Sequence, residues 1–97
     1  DKRDRFLTFM RSKQPGKALE WVDLPPELTG LATRDKAFLY EDPEGRRFYS
    51  YAVFTHGVDN SKGFIFSESG HRPPRLAHPE ITRLVPMDSG WFFFCST

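Results

Sequence analysis

The sequence predicts an α+β domain: a short N-terminal helix packed on a mainly antiparallel meander sheet of five or six strands. A small, partly closed barrel is the rival arrangement of the same strands. Three observations carry this reading. The first thirteen residues repeat apolar side chains at helical spacing. From Lys36 onward, short aromatic and β-branched runs alternate with turn signals. Two of those runs, 46–54 and 91–95, are apolar on both faces and belong inside a sheet.

A chain of 97 residues makes one domain, 1–97, with the helix in 1–14 and the sheet in 36–96. The apolar fraction is modest at 38%, so the ten Phe, three Tyr and two Trp must supply much of the core. The chain begins at Asp1 instead of Met, which reads as the soluble domain of a longer or processed protein.

In "DKRDRFLTFMRSK", Phe6, Phe9, Met10 and Lys13 recur at i, i+3, i+4 and i+7, and Leu7 widens the apolar face. Asp1 and Asp4 lie early, Arg11 and Lys13 late, as the helix dipole favours. Gln14-Pro15-Gly16 ends the helix. About three turns are not stable alone. The helix must cover the sheet of its own domain, or dock Phe6, Phe9 and Met10 in a partner's groove.

Residues 18–22 read as a strand, with Leu19 and Trp21 on one face and Ala18, Glu20 and Val22 on the other. Pro25 and Pro26 stop it, and 25–31 reads as a turn or short helix. The hairpin signal is sharper. Asp42-Pro43-Glu44-Gly45 places Asp, Pro and Gly where a type I turn wants them. In its second arm, Tyr49, Tyr51 and Val53 share one face and Phe48, Ser50, Ala52 and Phe54 the other. "GVDNSKG" (57–63) reads as a second turn and 64–66 as the next strand. "ITRLV" (81–85) sets Ile81 and Val85 around an outward Arg83. "PMDSG" is a third turn, and "WFFFC" (91–95) is the last strand, with Trp91, Phe93 and Cys95 on one face and Phe92 and Phe94 on the other.

Between the strands at 64–66 and 81–85 lies "GHRPPRLAHPE", with two histidines, three prolines and two arginines. Its prolines enforce an extended path and make it a stiff crossing. A stiff segment also loses less entropy on binding, so it is the favoured place for a partner contact.

Functional classes follow from residue chemistry. The near balance of 14 basic and 13 acidic residues is not that of a dedicated nucleic-acid binder. One cysteine, Cys95, allows no internal disulfide. No run approaches the ~20 apolar residues of a membrane span. His56, His71 and His78 lack metal-clamp spacing, so neither a metal site nor a cofactor is expected. Ser67 and Ser69 near Glu68 and His71 lack the nucleophile-elbow context, and Cys95 sits in an aromatic strand where thiols are inert.

The reading is therefore a non-enzymatic interaction or accessory module. Its expected partner is a protein, contacted through His71, Arg72, Arg75 and His78 with Arg47 and Tyr49 as a second patch, or a second copy paired along an edge strand. Removing His71 and His78 together should then leave folding nearly intact. Two alternatives stand beside it. One is a small enzyme using His56, His71 and His78 with nearby carboxylates. The other is a weak single-strand nucleic-acid binder using Arg46, Arg47, Tyr49 and Tyr51, where aromatics alternate with arginines.

Overall fold

A computed structural model describes residues 2–13, 18–56, 60–78 and 80–96, apart from the side chain of His56. The elements are α1 (Lys2–Arg11), β1 (Leu19–Asp23), a 3-10 turn (Pro26–Leu28), β2 (Lys36–Glu41), β3 (Arg47–His56), β4 (Asn60–Ser67), a second 3-10 turn (Arg75–Ala77), β5 (Ile81–Pro86) and β6 (Trp91–Ser96). All six strands join one antiparallel sheet in the order β1-β2-β3-β4-β6-β5.

The first four strands follow meander order. The chain then crosses to the far edge for β5 and returns so that β6 lies between β4 and β5. That order suits side-chain chemistry. β6, apolar on both faces, is taken inside, and β5, with Arg83 and Pro86, is left outside. β1 and β5 are unpaired edges, so the sheet is open and the barrel arrangement is not adopted.

The hairpin closes as its residues dictate. The Gly45 N–H donates to the Asp42 carbonyl at 2.9 Å, and the Asp42 N–H donates to the Arg46 carbonyl at 2.9 Å. Gly45 takes φ +84°, the left-handed residue that lets a type I turn rejoin two twisted strands. The Asp42 carboxylate accepts from the backbone N–H groups of Glu44 and Arg46, fixing the loop from inside.

Alternation along the strands gives the sheet two apolar faces. On the first, Val22, Ala37, Leu39, Tyr49, Tyr51, Phe66 and Trp91 meet Phe6, Leu7 and Met10 of α1. Phe6 packs edge-on against Tyr51 with ring centroids 4.8 Å apart, and both Phe6 and Met10 are fully buried. The helix therefore covers its own sheet, and those side chains are not offered to a partner's groove.

The second face carries Phe48, Ile65, Ile81, Phe92 and Phe94, and Ala77 of the proline-rich crossing packs onto it. The segment 71–78 is thus a lid as well as a connector. It takes the place a second helix would occupy over a sheet that is apolar on both sides.

Two details differ from the sequence reading. Residues 60–63 belong to β4, because Asn60, Ser61, Lys62 and Gly63 continue the ladder with β3; residues 57–59 of the expected turn lie outside the described residues. In β5 the register shifts between Ile81 and Arg83. This bulge breaks strict alternation, so Ile81 and Leu84, not Ile81 and Val85, join the second apolar face.

Candidate functional site

The lid brings His78 down onto the middle of the sheet. Its Nδ1 lies 2.7 Å from the Ser50 hydroxyl of β3, and both residues are buried. Three aromatic rings surround the imidazole, with centroids at 4.4 Å for Phe94, 5.5 Å for Phe38 and 5.8 Å for Trp21. This apolar enclosure disfavours the charged ring, and burial pushes the His78 pKa down to about 4. The histidine is a neutral, hydrogen-bonded core residue. As a surface contact it is withdrawn, and its burial and bond to Ser50 now predict that its removal destabilises the fold. The pair also lacks what a nucleophile and base require: Ser50 has no exposed surface for a substrate to reach.

His71 lies elsewhere. It is exposed, and its Nδ1 is 3.0 Å from the Ser69 hydroxyl. The two histidines do not converge, and the His56 side chain is outside the described residues. Among the described residues, no three His, Cys, Asp or Glu side chains are grouped to hold a metal ion.

A second polar cluster ties the end of α1 to the sheet. Arg11 donates to both Glu68 carboxylate oxygens, from Nε at 3.1 and 2.9 Å and from Nη2 at 2.6 Å. The Tyr49 hydroxyl donates to Glu68 Oε2 at 2.9 Å. Arg47 pairs with Glu41 at 2.9 Å and reaches the Lys13 carbonyl at 3.4 Å. The hydrogen bonds from Arg11 hold the Glu68 carboxyl below its ordinary value, against its partial desolvation. Burial, then the Glu68 contact, raises the Tyr49 phenol to about 12. Arg11 also lies over the Phe66 ring, 5.5 Å from its centroid. Arg11 fastens the end of the helix to Glu68, and the Arg47–Glu41 pair joins β3 to β2.

This placement bears on the sequence-derived residues directly. Tyr49 and Tyr51 are buried beneath α1, so neither presents a ring on which a base can stack. Arg47 is committed to Glu41, and Arg46 lies 3.8 Å from Asp42. Tyr49 is removed from the surface patch for the same reason. His71, Arg72 and Arg75 remain exposed on the outside of the lid, with Arg72 reaching the Leu84 carbonyl at 3.4 Å.

The surface that sequence reasoning missed is at β1. Trp21 is 54% exposed and Leu19 42% exposed, on the same face as Phe38, Tyr40 and His78. Trp21 touches the Phe38 ring edge-on at 4.9 Å while its outer side stays in water. Strand order was the missing signal. A tryptophan in a strand reads as core until that strand proves to be an edge. Comparison with known protein families, curated proteins and solved structures finds no match to this chain.

Proposed function

We propose that this chain is a non-enzymatic interaction module that binds protein through the β1 side of its sheet. The observation that carries this reading is Trp21, a large aromatic left more than half exposed on an edge strand. Tryptophan is among the residues that most often dominate binding energy at interfaces. An edge strand adds backbone N–H and C=O groups for an incoming strand. The exposed His71, Arg72 and Arg75 of the lid supply a second, polar contact area, separate from the edge.

Selection of displayed peptides against the purified chain tests this. Wild type should enrich extended, β-branched or aromatic sequences, and Trp21→Lys should lose them while remaining folded by circular dichroism, with a lowered melting temperature because Trp21 also packs on Phe38 and His78. Ligands that bind Trp21→Lys as well as wild type would overturn the reading.

A further inference from the structure

The two sheet edges are not alike. β5 carries a bulge, an outward Arg83 and a terminal Pro86, all of which hinder edge-to-edge pairing. β1 carries the charged Glu20 and Asp23 but has neither bulge nor proline, and its five residues run in unbroken register with β2. The Glu41 N–H donates to the Ala18 carbonyl at 2.9 Å and the Leu24 N–H to the Asp35 carbonyl at 2.8 Å, which sets the phase of the ladder. Even-numbered residues of β1 turn their backbone groups toward β2. Leu19, Trp21 and Asp23 turn theirs outward, where no described residue pairs with them.

We infer that the partner at this edge is a second copy of the chain, joined β1 to β1 across a two-fold axis at Trp21. The inference rests on the interaction reading and names its partner. The residues of β1 select the register. With Trp21 opposite its copy, Leu19 faces Asp23, Glu20 faces Val22, and all three outward residues on each strand pair with outward residues. No like charges are directly opposed.

A shift one way sets Glu20 against Glu20. A shift the other way sets Leu19 against Pro25, which has no N–H to give. In the central register both Trp21 rings lie on one face, each diagonal to the other copy's Leu19, and the exposed apolar groups of β1 cover one another. The net charge of +1 offers little repulsion between copies. The diagonal approach of the two Glu20 side chains is the one unfavourable element, and it makes the dimer sensitive to their charge.

Sedimentation equilibrium of the 97-residue chain over a concentration series is the test. Wild type should show a monomer–dimer equilibrium. Leu19→Pro removes an outward N–H that β2 does not use, so the fold should persist by its melting profile while dimer affinity falls at least about tenfold. Glu20→Gln should tighten the dimer. In a Cys95→Ser background, Leu19→Cys mixed with Asp23→Cys should form a disulfide between copies, and neither alone should. A wild type that stays monomeric would overturn the dimer. So would a dimer indifferent to Leu19→Pro, or cross-linking of Glu20→Cys to itself. Monomeric wild type that still binds peptides through Trp21 overturns only the identity of the partner. Peptide binding insensitive to Trp21→Lys overturns the interaction reading itself.

Discussion

The hydroxyl of Ser50 on the central strand and the imidazole of His78 on the crossing segment meet at 2.7 Å inside a cage of Trp21, Phe38 and Phe94. Together with Ala77 packed on the same face, this contact fastens a proline-stiffened lid to the second face of the sheet. It turns a segment that looks like a solvent-exposed loop into part of the core.

The pair makes stability depend on pH. An unfolded histidine titrates near 6.5, the folded His78 near 4. About one unit or more above pH 6.5 the ring is neutral in both states and the fold bears no cost. As pH falls from 6.5 toward 4, the unfolded chain takes up a proton that the folded one refuses, and stability is lost, on the order of 3 kcal/mol in all. Urea titrations at steps between pH 7.5 and 4 should show the decline, and His78→Phe should flatten it. An undiminished slope in His78→Phe would mean that another group is responsible.

His78→Ala at pH 7.5 should cost about 2–4 kcal/mol, because it opens a cavity among three rings and strands the Ser50 hydroxyl. His71→Ala, an exposed residue whose bond to Ser69 is local, should change stability by less than about 0.5 kcal/mol. Chemical denaturation of the two single variants separates them.

Gly63 in β4 is held by close backbone approach. A Cβ there would overlap the Tyr51 carbonyl oxygen and lie 2.7 Å from the Ala52 Cα, beside the irregularity between Ala52 and Phe54. Gly63→Ala should cost about 3 kcal/mol or more, since backbone and not a side chain must move. Gly45→Val has open space but a φ of +84°, so its cost should be smaller, about 1–2 kcal/mol. The ranking by thermal melting is the check: equal losses would mean that steric overlap is relieved at Gly63.

Neighbouring phenylalanines of β6 should separate by face. Phe94 is fully buried under the lid, and Phe93, on the other side of the strand, is only half-buried against Phe64. Phe94→Ala should cost about 3–5 kcal/mol and Phe93→Ala clearly less. Similar losses for both would show that the face with Phe93 is as well covered as the lid side.

The Arg11–Glu68 pair is partly exposed, yet its geometry is bidentate and Tyr49 shares the carboxylate. A double-mutant cycle with Arg11→Ala and Glu68→Gln should give a coupling of about 0.5–1 kcal/mol, weakened by salt. A coupling indistinguishable from zero would mean that α1 is held chiefly by its apolar face, Phe6, Leu7 and Met10.

Local chemistry in the sequence determined the elements. Asp42-Pro43-Glu44-Gly45 specified its turn down to the left-handed glycine. Apolar spacing specified which face of α1 is buried, and alternation assigned Trp91 and Phe94 to opposite sides of β6. These are properties of neighbours, set by periods of 3.6 and 2 residues. Tertiary structure decided what depends on distant partners. It placed β6 inside β5, left β1 as an open edge with Trp21 in water, and buried His78 and Tyr49. The flanking Leu76, Ala77 and Ile81 are apolar, but they share the segment with prolines, arginine and glutamate and show no strand or helix period that would place His78 in a core; its neighbours in space come from β1, β2, β3 and β6. Burial of a polar group is settled by what folds over it and what bonds to it, and those residues lie far along the chain.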